Sequence, residues 1–109
     1  MKLLTKELEK KFEKYPLYSQ DGKGYDAKVI AKFFSPIGRA TWYITEGEKQ
    51  PDGDYLMFGY CILVSPEMGE LGYVSLNELQ SIKLPYGLTI ERDLYFKECT
   101  LKEALKNNY

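Results

Sequence analysis

The longest apolar run in this chain extends from residue 55 to residue 64 and is apolar at odd and even positions alike. Successive side chains of a β-strand point to opposite faces of the sheet, so a strand that is apolar on both faces belongs in the interior of a sheet. Gly59 interrupts the run, which indicates either a β-bulge or the close approach of a neighbouring backbone. We therefore expect a fold organised around a sheet in which residues 55–64 form a central strand.

Three helices are expected beside this sheet. Residues 5–14 carry apolar side chains at helical spacing behind Thr5, whose hydroxyl suits an N-cap. A capping-box pair, in which a hydroxyl and a carboxylate satisfy each other's backbone amides, occurs at residues 75–78 and predicts a short helix near 76–82. A second such pair at residues 100–103 predicts a C-terminal helix.

Further strands are predicted at residues 28–34, 40–46, 71–74 and 88–96, where β-branched and aromatic residues are concentrated. Alternation divides the second of these strands into two faces. The face expected to be buried carries Trp42 and Ile44, and the face expected to be exposed carries Thr41, Tyr43 and Thr45.

The order of predicted elements is α-β-β-β-β-α-β-α, with short connections between consecutive strands. Short connections favour antiparallel pairing. The predicted fold class is therefore α+β: a single domain of residues 1–109 with a mostly antiparallel sheet of about four or five strands. The N-terminal helix, the short helix near 76–82 and the C-terminal helix flank this sheet.

The composition excludes several functional classes. The chain has no histidine, so the Ser-His-Asp and Cys-His arrangements and histidine-based zinc sites are absent. Cys61 and Cys99 lie far apart in the sequence and are expected to be reduced, buried thiols. Residues 22–27 match the glycine pattern of dinucleotide-binding turns, but they precede a predicted strand rather than a helix. No catalytic residue, cofactor-binding residue or metal ligand is assigned, and no cofactor is expected.

The formal net charge is −1, so no strong field draws the protein to nucleic acid or to an anionic membrane. Charge is nevertheless unevenly distributed: residues 1–32 hold eight lysines against five acidic residues, and residues 33–109 hold seven basic against eleven acidic residues. Lys6, Lys10 and Lys14 share one face of the first helix, either as a solvated stripe or as a phosphate contact. No apolar run approaches membrane-spanning length, so a cytoplasmic protein without a membrane partner is expected.

Glu91, Arg92 and Asp93 are consecutive charged residues inside the last predicted strand. Alternation places at least one of them on the side that its apolar neighbours favour, and that residue is expected to be paired, capped or functional. In one interpretation, Arg92 forms a bidentate ion pair with a carboxylate across the sheet. In the other, Arg92 and an acidic neighbour lie at the edge of a pocket near Trp42 and Tyr43 and bind a carboxylate, a phosphate or a partner's charged group.

Several segments resemble one protein family, in the same order and over nearly the whole chain. They include residues 1–8, 32–34, 41–46, 58–59, 70–79 and 87–96, and the most specific of them are Thr41-Trp42-Tyr43-Ile44-Thr45-Glu46 and Ile90-Glu91-Arg92-Asp93-Leu94-Tyr95-Phe96. In these segments the chain is similar to the uncharacterised domain-of-unknown-function 2958 family of short proteins from bacteria, phages and mobile elements. The resemblance assigns no reaction and implies an accessory role, in maintaining the element or in countering host defence. Positions matching the family's polar signature are Trp42, Tyr43, Glu46, Glu70, Glu78, Glu91, Arg92 and Asp93.

Three functional hypotheses remain open. The first is a small non-catalytic accessory protein of a mobile element or phage that binds a host or element protein. The second is a nucleic-acid-binding accessory protein that uses the lysine stripe, and the third is a small enzyme in which carboxylates and Arg92 act within a pocket. The candidate binding surface comprises Trp42, Tyr43, Glu46, Tyr73, Glu91, Arg92 and Asp93.

Overall fold

The computed structural model describes residues 2–107, in which three helices and seven strands follow one another along the chain. The helices are α1 (Lys6–Lys14), α2 (Leu76–Ser81) and α3 (Leu101–Asn107). The strands are β1 (Lys28–Val29), β2 (Ala31–Phe34), β3 (Thr41–Lys49), β4 (Tyr55–Ile62), β5 (Glu70–Ser75), β6 (Glu91–Arg92) and β7 (Cys99–Thr100).

The main sheet is antiparallel and has five strands in the order β5-β4-β3-β2-β6. β1 and β7 form a separate two-stranded sheet. The helices and the antiparallel sheet confirm the predicted α+β class. β4, which the apolar run predicted to be central, is an interior strand, while β3 occupies the middle position.

Two core clusters lie on opposite faces of the main sheet, because alternate side chains of β3 and β4 point in opposite directions. On the α1 face, α1 and α2 pack against sheet residues that include Trp42, Ile44 and Met57. On the α3 face, α3 packs against Tyr43, Tyr60 and Ile62.

The second face of β3 is buried, and the prediction that it would be exposed is wrong. Tyr43 is only 5% exposed and Thr45 only 2% exposed. α3 packs against Tyr43, and the loop of residues 16–27, called the 16–27 loop below, is hydrogen-bonded to the backbone of Thr45. The Thr45 hydroxyl donates to the carbonyl oxygen of Phe58 at 3.2 Å, so its polarity is satisfied within the protein.

β3 and β4 leave no room for a side chain at Gly59. A β-carbon at this position would lie 2.0 Å from the carbonyl oxygen of Tyr43. The register between the two strands also shifts between Ile44 and Glu46, which is a bulge that places Glu46 opposite Phe58. Of the two alternatives predicted for Gly59, the close backbone approach is confirmed, and the bulge lies beside it on β3, at Thr45.

Helices α1 and α3 begin at the predicted caps. The Thr5 hydroxyl accepts a hydrogen bond from the backbone N–H of Leu8 at 3.2 Å. At α3 the capping box is complete, since Thr100 Oγ1 accepts from the N–H of Glu103 at 3.2 Å and Glu103 Oε1 accepts from the N–H of Thr100 at 3.0 Å.

Helix α2 begins at the predicted serine but also receives help from a distant residue. Ser75 Oγ accepts from the N–H of Glu78 at 3.2 Å, and the Asp54 carboxylate accepts from the N–H of Asn77 at 2.9 Å. The Ser75 hydroxyl in turn donates to Asp54. The turn before β4 is thereby fastened to the start of α2.

Residues 88–96 contain less strand than predicted, because Asp93 ends the strand. β6 consists of Glu91 and Arg92 alone, paired with β2. After it, the Asp93 side chain accepts a hydrogen bond from the N–H of Tyr95 at 2.9 Å and so closes a turn. The predicted strand at 28–34 is likewise divided at Ile30 into β1 and β2, which belong to different sheets.

Cys61 and Cys99 are free thiols, but they are half-buried rather than buried as expected. Desolvation, followed by the negative charge of Glu70, raises the pKa of Cys61, and desolvation followed by Glu103 raises that of Cys99. No helix within residues 2–107 has the length and apolar character that crossing a membrane requires.

Candidate functional site

A cleft of about 440 Å³ opens on the α3 face, between the 16–27 loop and strands β3, β4 and β5. α3 covers only the part of this face around Tyr43. The part that carries Glu46 and Tyr73 is covered by the 16–27 loop instead. Among residues 2–107, no basic side chain lines the cleft. The principal lining residues are Tyr18, Gln20, Asp21, Glu46, Phe58, Leu71 and Tyr73.

Gln20 fastens the 16–27 loop to the sheet. Its Nε2 donates to the carbonyl oxygens of Lys28 and Thr45, at 2.9 Å and 2.8 Å, and its Oε1 accepts from the N–H of Lys28 at 2.7 Å. The residue is only 4% exposed. A buried amide with these partners fixes the loop in place, and the loop forms a pre-organised wall of the cleft.

Glu46 is the buried carboxylate of the cleft, with an exposed fraction of 5%. Its Oε1 accepts from the N–H of Tyr18 at 2.9 Å, and its Oε2 accepts from the N–H of Gln20 at 2.8 Å. Within residues 2–107, no lysine or arginine nitrogen lies within ion-pair distance of this carboxylate. The Glu46 side chain is therefore satisfied by backbone hydrogen bonds and has no ion-pair partner in the described part of the chain.

Aromatic rings form the outer wall of the cleft. The rings of Phe58 and Tyr73 meet edge to face with centroids 5.0 Å apart, and Tyr73 is 53% exposed. Hydrogen bonding to the side chain of Tyr18, then desolvation and the negative charges of Glu46 and Asp21, raise the pKa of Tyr73. Asp21, Glu46 and Tyr73 all line this one cleft.

Tyr18, Gln20 and Asp21 are the site residues that sequence reasoning missed. They lie in a segment that reads only as a polar loop, and the one unusual property of Tyr18 is its backbone angle φ of 72°, which an L-residue seldom adopts. The backbone N–H of Tyr18 donates a hydrogen bond to Glu46, a residue 28 positions away. No local sequence pattern signals such a contact.

The predicted site residues fall into three separate places. Glu46 and Tyr73 line the cleft. Trp42 is buried in the α1-face core, paired with Phe33 and Cys61 on the neighbouring strands. The remaining four, Tyr43, Glu91, Arg92 and Asp93, lie towards the β6 side of the sheet.

Lys32 connects the residues on the β6 side. Its ammonium group lies 5.7 Å above the ring centroid of Tyr43 and 3.7 Å from an Asp93 oxygen. Asp93, one of the three consecutive charged residues, is thus paired. Desolvation, then the charges of Cys99 and Asp93, raise the pKa of Tyr43. Arg92 and Glu91 are half-buried in β6, opposite Phe33 and Phe34.

Comparison with known proteins identifies a family and no function. The family model described as "Protein of unknown function (DUF2958)" matches residues 3–104 of the chain. Neither the curated proteins nor the solved structures include a significant match.

Proposed function

We propose that this chain, which belongs to the DUF2958 family, is a small non-catalytic accessory protein of a mobile element or phage that binds a host or element protein. The partner contributes an extended segment that adds a strand to the open edge of β5. In this mode, backbone hydrogen bonds supply affinity, and side chains beside the edge supply specificity.

The observation that carries the proposal is the unprotected edge of β5. This strand is six residues long and stands at the end of the main sheet, and no strand within residues 2–107 pairs with its outer side. Soluble proteins usually shorten or charge such an edge, as happens at β6, which is two residues long. Large apolar side chains instead lie exposed around β5: Leu63, Val64, Met68, Leu71 and Tyr73.

The charges of the residues near the β5 edge indicate which kind of partner segment would bind there. Residues 50–82, which contain β4, β5 and α2, have no lysine or arginine. The acidic residues in the same range are Asp52, Asp54, Glu67, Glu70 and Glu78. Complementary charge steers partners and selects among them, so the expected partner segment is basic and extended.

The test is affinity purification from a bacterial extract, with and without nuclease, using wild-type protein and two variants. Leu71 is 42% exposed beside the β5 edge, and Leu71→Lys places a positive charge where a basic segment would bind. We expect this variant to fold normally and to lose about tenfold or more of the recovered partner. Leu94→Lys is the control, because Leu94 is 62% exposed and follows β6 at the opposite edge of the sheet.

A partner recovered equally well by both variants would contradict the proposal. Recovery that disappears with nuclease would favour the nucleic-acid alternative instead. That alternative is supported by Lys6, Lys10 and Lys14, which are all exposed along α1. Changing these three lysines to glutamate would then abolish the nuclease-sensitive recovery.

A further inference from the structure

We propose that the cleft under the 16–27 loop receives an arginine side chain of the bound protein. The inference relies on the proposed function for the source of this arginine. The chemistry of the cleft stands independently of it.

The first argument is the charge of Glu46. Glutamate is rarely buried unless it is paired, and Glu46 is 5% exposed without a basic partner in ion-pair range among the described residues. Its two oxygens each accept one backbone hydrogen bond, whereas a carboxylate offers about four acceptor positions. Acceptor capacity and negative charge are therefore both left for a cation.

The second argument is the aromatic surface beside this charge. Tyr18, Phe58 and Tyr73 line the same cleft as Glu46 and Asp21. The faces of aromatic rings attract cations, and guanidinium stacks on them better than ammonium does while donating hydrogen bonds from a planar fork. An arginine side chain is therefore a better match than lysine, and an anionic group is disfavoured by both carboxylates.

The third argument is the position of the cleft beside the open edge. Leu71 and Tyr73 of β5 line the cleft and also flank the edge to which the partner strand is expected to add. Side chains of an added strand alternate between the two faces of the sheet. Those on the α3 face would lie next to the cleft, within the reach of a long side chain such as arginine.

The test uses N-acetyl-arginine methylamide as the probe and follows the backbone amides of the protein by NMR. We expect saturable shifts at Tyr18, Gln20 and Tyr73, and none with N-acetyl-citrulline methylamide, which has the same shape without the charge. Spermidine, a free polycation, is tested in parallel, to show whether the cleft binds a small-molecule cation rather than an arginine side chain.

Two variants change the recognising groups and leave intact the hydrogen bonds of Glu46 and Gln20 that hold the loop. Tyr73→Leu and Asp21→Asn alter exposed side chains, and each is expected to weaken arginine binding about tenfold. The matched controls are Tyr95→Leu, at a residue 92% exposed, and Asp52→Asn, in an exposed turn, and both are expected to bind like wild type. Glu46→Gln is avoided because Glu46 also anchors the loop.

Three results would overturn the inference. The citrulline probe could bind as well as the arginine probe, the arginine probe could still bind both cleft variants, or spermidine could bind in the cleft where the arginine probe does not.

The test of the cleft is separable from the test of the proposed function. If arginine fails to bind but Leu71→Lys still abolishes partner recovery, only the cleft inference falls. If arginine binds as described and no protein partner is recovered, the cleft stands as a guanidinium site and the proposed function falls.

Discussion

Gly59 and Gly72 lie directly opposite each other on β4 and β5, yet the structure gives them different tolerance for a side chain. A β-carbon at Gly59 would lie 2.0 Å from the Tyr43 carbonyl oxygen, whereas nothing lies within 4 Å of one at Gly72. We expect Gly59→Ala to lower the free energy of unfolding by about 3 kcal/mol, because β3 must move to relieve the clash. Chemical denaturation followed by circular dichroism measures this loss.

Gly72→Ala is the matched control, since it makes the same chemical change on the neighbouring strand. Its expected effect is within about 0.5 kcal/mol of zero. If both variants lost the same amount of unfolding free energy, the loss would come from replacing a glycine and not from the close approach of the β3 backbone.

At the scale of elements, Asp54 joins the turn before β4 to α2. Its Oδ1 accepts from the N–H groups of Tyr55 at 2.7 Å and Asn77 at 2.9 Å. We expect Asp54→Ala to lower the free energy of unfolding by about 1–2 kcal/mol, as the loss of a helix cap does. Asp52→Ala is the control, because Asp52 accepts a single hydrogen bond from the N–H of Asp54 within the same turn.

The contribution of Asp54 to the free energy of unfolding is also expected to depend on pH. Burial by itself would raise the pKa of Asp54, but hydrogen bonds from Ser75, Asn77 and Tyr55 outweigh it and lower the pKa below 3.8. A lowered carboxyl pKa stabilises the folded state above the unfolded value and ceases to do so as the pH falls through the folded value. The difference between wild type and Asp54→Ala should therefore shrink below about pH 3.8. A difference that stays constant down to pH 2 would contradict the role of the ionised carboxylate.

At the scale of the whole molecule, stability should be level near neutral pH and fall in alkali. The chain has no histidine, so no side chain with an ordinary pKa titrates between about pH 6 and 8. Burial raises the pKa of Tyr55 and Tyr60 above 10.0 and that of Cys61 above 9.0. Acids with raised pKa values hold their protons more tightly when folded, so their stabilisation is complete below the unfolded pKa and is lost as the pH rises through the folded value.

Thermal unfolding across the pH range measures this behaviour. We expect a constant midpoint from about pH 6 to 8 and a decline that begins near pH 9. Tyr55→Phe removes one contributing phenol while keeping a ring to stack on Phe12, with which Tyr55 has a centroid distance of 5.2 Å. This variant should lose less stability than wild type between about pH 10 and 11. A midpoint that falls between pH 6 and 8 would show that another group controls stability.

Most of the fold was predictable because its signals are local. The run at residues 55–64, the glycine within it, the hydroxyl residues at the helix starts and the short connections each act over a few residues. They gave an α+β fold with an antiparallel sheet, the three helices and the tight position of Gly59. They did not give the burial of Tyr43 and Thr45, because burial depends on which distant element covers a face.

The sequence by itself therefore determined where the three helices and the longer strands form and where two backbones approach closely at Gly59, since hydrogen bonding and side-chain alternation along the backbone set these features. Only the tertiary structure decided which of the candidate residues share a site. Glu46 meets Tyr18 and Gln20 because a loop 26 to 28 residues away folds over a bulged strand, while Trp42 is enclosed in the opposite core. Such contacts arise from the packing of whole elements, and no spacing along the chain encodes them.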